Sequence, residues 1–94
     1  MSNPKIYKLQ FTDTAIKNLN KLDKKIKFQI YKKIESLKIP SGAHNIKKLK
    51  GYETKYRLRS GDYRIVYDVY EDKSVVLISL IANRKDIYDL LPGK

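Results

Sequence analysis

The stretch that most constrains this chain is Lys55-Tyr56-Arg57-Leu58-Arg59-Ser60-Gly61-Asp62-Tyr63-Arg64. Residues 55–59 alternate strictly, which places Lys55, Arg57 and Arg59 on one face of a strand and Tyr56 and Leu58 on the other. Ser60-Gly61-Asp62 is the turn, and its length decides which face Arg64 joins. A two-residue Gly61-Asp62 loop, suited by glycine at its first position, sets Arg59 opposite Arg64 and Arg57 opposite Val66. A three-residue loop pairs Arg59 with Tyr63 and sends Arg64 to the Leu58 side. The two-residue loop is the favoured reading, and it brings Lys55, Arg57, Arg59 and Arg64 to one face. Cations so placed repel one another unless an anion lies among them, so the register implies a phosphate site.

The rest of the chain supplies a scaffold for this face. Residues 63–70 and 74–82 are rich in Val, Ile, Leu and Tyr on both faces, as central strands are, with Glu71-Asp72-Lys73 as the turn between them. Residues 6–11 alternate as a short strand. Thr12 or Asp13 offers an N-cap to a helix carrying Ala15, Ile16, Leu19 and Leu22. Asp23 caps a second helix, in which Ile26, Ile30, Ile34 and Leu37 form one apolar stripe and Lys24, Lys25, Lys27, Lys32 and Lys33 the polar face. Pro40-Ser41-Gly42 stops that helix. Asp86 can cap a short terminal helix containing Ile87, Tyr88, Leu90 and Leu91. The expected architecture is α+β: a small antiparallel sheet of about four strands, mixed at its edge, with an N-terminal helical hairpin packed on it and a short C-terminal helix. Residues 1–94 are read as a single domain.

Composition narrows the function. There is no cysteine, which excludes disulfides and Cys-based zinc sites. The formal charge is +11; residues 1–50 hold 13 lysines against three acids, and residues 51–94 hold eight basic residues against seven acids. Such a field attracts polyanions. In the second half the arginines sit among aromatics although local charge nearly balances, which a solubilising surface does not explain. The acids Asp62, Asp68, Glu71, Asp72 and Asp86 are scattered, without the ligand spacing of a metal site. His44 is the only histidine, so two-histidine RNA cleavage is excluded. The opening residues lack the apolar core of a secretion signal and no apolar run approaches a span, so a cytoplasmic location is expected.

The run KLKGYETKYRLRSGDYRIVYDV, followed by a strand and NRKDIY, resembles the RelE branch of the RelE/ParE toxin superfamily over essentially the whole chain. The resemblance implies a toxin that cuts mRNA in the ribosomal A site, without a cofactor, and that is held inactive by an acidic, RelB-like antitoxin in a hetero-oligomer. Carried over position by position, it implies a catalytic set of Lys55, Arg57, Arg64, Arg84 and Tyr88, with Lys48, Lys50, Arg59 and Lys85 holding the RNA. Arg57 stands where well-known relatives have lysine, and Asn83 where several place a histidine.

Cutting RNA without a metal requires a base at the 2′-hydroxyl, stabilised charge on the phosphate and an acid at the 5′-oxygen. On this reading Tyr88 is the base, and nearby Arg84 and Arg64 favour its phenolate while holding the phosphate. Arg57 stabilises the transition state and Lys55 is the acid. Two rivals remain: a ParE-like poison of DNA gyrase, and a basic module that binds RNA or an antitoxin without catalysis. A binder needs the charges but not Tyr88.

Overall fold

The computed structural model describes residues 6–39, 46–48 and 55–90; for residues 46–48 and Tyr88 it gives the backbone path alone. Strand β1 (Lys8–Phe11) leads into helices α1 (Asp13–Asn20) and α2 (Lys24–Glu35), and a 3-10 turn, Ser36–Lys38, closes α2. Strands β2 (Ile46–Lys48), β3 (Lys55–Ser60), β4 (Tyr63–Tyr70) and β5 (Val75–Asn83) follow, then the one-turn helix α3 (Ile87–Leu90). The sheet order is β1-β5-β4-β3-β2. All neighbours are antiparallel except β1 and β5, which run parallel.

The α+β class and the mixed edge are as the sequence indicates. The short strand β2 adds a fifth member, in a segment whose lysines mask any alternation. The caps expected at the starts of α1 and α2 form. Thr12 Oγ1 accepts from the Ala15 N–H at 3.1 Å, and Asp23 Oδ1 accepts from the Ile26 N–H at 3.0 Å. Each satisfies one of the donors that a helix start leaves without an intrahelical partner.

The two sheet faces are filled differently. Ala15, Ile30, Ile34 and Leu37 pack against Leu58, Ile65, Tyr67, Val76, Ile78 and Ile81, so α1 and α2 cover one face. Ile16 lies on the outer side of α1, 45% exposed, because adjacent helical residues cannot both face inward and Ala15 takes the contact. The opposite face carries a smaller apolar cluster of Val66, Leu80, Ala82 and Ile87. Buried Ile87 therefore ties α3 to the side away from α1 and α2.

Strand β1 is shorter than β5, and α1 completes the edge it leaves. Beyond the Phe11–Ile78 pair, the Thr12 hydroxyl donates to the Ser79 carbonyl at 3.1 Å and Asn18 Oδ1 accepts from the Ile81 N–H at 3.1 Å. Ser79 is the extra residue of a bulge, since Val66 pairs with Leu80 while Tyr67 pairs with Ile78. The Thr12 cap and Asn18 of α1 thus satisfy backbone groups that a buried edge could not leave unpaired.

Candidate active site

The β3–β4 hairpin sets the site, and it adopts the two-residue register. Arg59 pairs with Arg64, Arg57 with Val66 and Lys55 with Asp68. Residues directly opposite in an antiparallel pair share a face. Gly61 makes the turn possible with φ of +58°, a conformation that costs L side chains energy.

Arg64 is at the centre. It is only 9% exposed, flanked by Arg59 on β3 and by the small Ala82 on β5. Its Nη1 donates to the carbonyls of Gly61 at 2.9 Å and Tyr63 at 3.0 Å, so the turn it follows also fixes its guanidinium. Burial holds the Arg64 pKa below the ordinary arginine value, and the neighbouring charges of Arg59, Arg57 and Arg84 push it the same way; Asp62 opposes them. Arginine remains charged at any physiological pH. The result is a desolvated cation facing other cations, an arrangement that an incoming anion relieves.

Arg84 reaches the same neighbourhood from the turn after β5. Its backbone N–H donates to the Asp62 carbonyl at 2.7 Å, which ties that turn to the β3–β4 turn. The side chains are farther apart, with Arg84 Nε 3.8 Å from Asp62 Oδ1 and both exposed, a contact of little energetic weight. Lys85 and Arg59 are exposed nearby. Tyr88 lies in α3 directly after Ile87, on the segment anchored to the face that holds Arg64.

Lys55 differs from the expectation of four cations awaiting one anion. Its Nζ lies 2.9 Å from Asp68 Oδ2, and Asp68 is 5% exposed. The sheet itself balances this charge, with Asp68 directly across the hairpin from Lys55. Hairpin arithmetic contains this pair, since the loop that aligns Arg59 with Arg64 also aligns Lys55 with Asp68. On β2 the cross-strand partner of Arg57 is Lys47, while Lys48 pairs with Tyr56; in register Lys47, not Lys48, stands beside the arginines. Lys50 and His44 lie outside the described residues. Among the described residues no three of His, Cys, Asp and Glu come together as a metal site would require.

The family model described as "ParE toxin of type II toxin-antitoxin system, parDE" matches residues 9–88. The chain belongs to the RelE/ParE toxin family. Toxin RelE3 of Methanocaldococcus jannaschii is 34% identical over 89 residues, covering 90% of this chain and 99% of the relative. The mRNA interferase toxin RelE of Escherichia coli K12 is 37% identical over 82 residues, 84% of each. Among solved structures, the RelE/ParE fold of this chain matches the RelB-RelE antitoxin-toxin complex from Methanococcus jannaschii with a TM-score of 0.71 at 31% identity, covering 88% of this chain and 99% of that one. The intact Escherichia coli RelBE toxin-antitoxin complex matches with a TM-score of 0.68 at 36% identity, covering 82% and 95%.

Proposed function

We propose that this RelE/ParE toxin is an endoribonuclease that cuts mRNA on the ribosome and so stops translation. The observation that carries this reading is the buried Arg64 guanidinium, held by two backbone carbonyls and surrounded by Arg57, Arg59 and Arg84. That is a cradle for one phosphate, on a chain whose relative is named an mRNA interferase.

In the proposed reaction Tyr88 takes the proton of the 2′-hydroxyl, and the freed oxygen attacks the adjacent phosphorus. Arg64 and Arg84 hold the phosphate, and Arg57 stabilises the charge that develops on its oxygens. The bond to the 5′-oxygen breaks as Lys55 delivers a proton to it. The products are a 2′,3′-cyclic phosphate and a 5′-hydroxyl, with no water consumed. The base is the Tyr88 phenolate, and a phenol of ordinary pKa ~10 is almost wholly protonated at neutral pH, so most of the rate has to come from the orientation that a ribosome imposes on its mRNA. Arg59, Lys50 and Lys85 then contribute contacts to the RNA backbone, while Lys48, in register with Tyr56, stands off that row. Ribosomes as the site of action imply a cytoplasmic protein.

The partner that restrains the toxin is an acidic, RelB-like antitoxin. The helices support this with a recess of about 260 Å³ lined by Leu19, Lys24, Lys27, Phe28 and Tyr31. Phe28 is 62% exposed and Tyr31 45%. Apolar anchors with acidic flanks, as on an amphipathic segment, are the chemistry that fits it.

The deciding experiment adds the purified protein to programmed ribosomes and maps cuts in the mRNA, with naked mRNA as control and Arg84→Ala and Tyr88→Phe alongside. Ribosome-dependent cuts lost in both variants are expected. An intact mRNA, with gyrase inhibited in a parallel supercoiling assay, would replace this reading with the gyrase-poison one.

A further inference from the structure

We infer that Asp68 is a positioning residue for cleavage, acting through Lys55. The inference rests on the reading of Lys55 as the proton donor.

Asp68 is an unexpected residue on its strand. The β4 sequence from Tyr63 to Tyr70 is otherwise apolar or aromatic apart from Arg64, and the Asp68 side chain is only 7% exposed. A carboxylate placed so deep is costly unless a partner meets it. Lys55 does so at 2.9 Å, with its own side chain 20% exposed. Replacing a buried ion pair with apolar residues of similar volume is often neutral or stabilising, so the pair is poorly explained as a device for stability.

Its place relative to the other cations is more telling. Lys55 opposes Asp68, Arg57 opposes Val66 and Arg59 opposes Arg64, so the pair occupies one end of the row whose other end holds the buried arginine. Alternate positions on a strand are separated by roughly 6.6 Å, two residues of rise. The Arg64 end therefore lies two such steps, roughly 13 Å, along the row from Lys55, with Arg57 midway, so a phosphate drawn between Arg64 and Arg57 is one step from the ammonium. Lysine is a flexible four-carbon stem, and a free one samples many positions. The bond to Asp68 commits one of its three N–H donors and fixes the nitrogen against the sheet, as delivery of a proton to a departing oxygen requires.

Charge gives the same answer. Without Asp68 the ammonium would lose the carboxylate that faces it across the hairpin and be pushed away from Arg57. With Asp68 present, the row divides into a neutral pair at one end and an arginine cluster at the other. The anion site is the cluster, and the pair is the proton-handling end. During the reaction the Lys55 N–H bond breaks as the proton moves to the 5′-oxygen, leaving a neutral amine that Asp68 still holds by hydrogen bond, and a proton from water restores it.

The test measures cleavage on programmed ribosomes for wild type, Lys55→Ala, Asp68→Asn, Asp68→Glu and the double variant Lys55→Ala/Asp68→Asn. Misplacement of a reacting group by about an ångström costs on the order of 100-fold, so Asp68→Asn should lower kcat roughly 10–100-fold with KM within about threefold. Asp68→Glu keeps the charge but lengthens the arm by one methylene, and should fall between wild type and Asp68→Asn. The double variant should be no slower than Lys55→Ala, because a residue acting through Lys55 has nothing left to position. Losses that multiply, or a loss seen in KM alone, would overturn the inference, since they mark a role in folding or in binding RNA. If Asp68→Asn fails to fold, Asp68→Glu decides: wild-type kcat in that variant overturns the inference. Cleavage by wild type that survives in both Lys55→Ala and Asp68→Asn removes the inference and leaves the nuclease intact. No cleavage by wild type removes both.

Discussion

Arg64 shows how a single side chain can be unfavourable for the fold and still be the residue on which the site depends. Burial and three arginine neighbours all disfavour its charge, so the native state carries a penalty that the unfolded chain does not. Arg64→Met, which keeps volume and removes the cation, should therefore unfold at the same temperature as wild type or higher. Removing one donor aimed at transition-state charge costs on the order of 100- to 1,000-fold, and cleavage should fall by at least that much. Inorganic phosphate, compared with chloride at equal ionic strength, should raise the unfolding temperature of wild type and not of Arg64→Met, because only the cradle binds it. Tyr67 provides the pH-dependent counterpart. It is 1% exposed, and burial, with a smaller contribution from Tyr56, raises its pKa above the ordinary 10.0. Tyr56 stacks on it with ring centroids 5.8 Å apart. A raised phenol pKa means that the folded state keeps a proton the unfolded state loses. Its contribution is intact below about pH 10 and declines above it, by about 1.4 kcal/mol per pH unit. Urea titrations at pH 9 and pH 11 should show that decline shallower in Tyr67→Phe.

At the level of elements, the strands and helices that sequence alone indicates are those with a strong local signal. Alternation marks β1 and β3, the caps Thr12 and Asp23 mark the helix starts, and glycine at position 61 selects the hairpin register. What it leaves hidden depends on partners distant in sequence. Strand β2 is three residues long and exists by pairing with β3. The bulge at Ser79 is signalled by one polar residue in an apolar run, but its purpose, offering groups to Thr12 and Asn18, is visible only once α1 is docked. The arginine cluster was legible from the register. The Lys55–Asp68 bond required carrying that register two pairs further. The two turns of the meander differ in a way that can be measured. Gly61 and Ser74 both have positive φ, +58° and +54°, but only one is glycine. A left-handed backbone costs a non-glycine residue about 1–2 kcal/mol, and glycine gives back about 0.5–1 kcal/mol in unfolded-state entropy. Ser74→Gly should thus stabilise the protein by roughly 0.5–1 kcal/mol, read as a higher urea midpoint with unchanged slope, whereas Gly61→Val should lower that midpoint.

Across the whole molecule, charge and apolar surface are divided between two sides. The +11 total is concentrated in the first 50 residues, while the arginine cluster lies on the sheet face that α1 and α2 leave uncovered. Capture of an acidic partner by the lysine-bearing helices should slow as salt rises past about 0.15 M, where exposed charges are screened beyond roughly 8 Å. Phe28→Ser should leave that association rate nearly unchanged and speed dissociation, since it removes buried contact and not charge; stopped-flow mixing with the antitoxin measures both. The parallel pairing of β1 with β5 has a further consequence, for manufacture. Thr12 and Ser79, joined by a hydrogen bond, are 67 positions apart, so the first strand to be synthesised must wait for the last one before it has a neighbour. A chain still being translated, and ending before Val75, has no groove in which to seat its own beginning and has not yet acquired Arg84. The cell that makes this poison therefore handles it in a harmless form until β5 and the turn bearing Arg84 have been made.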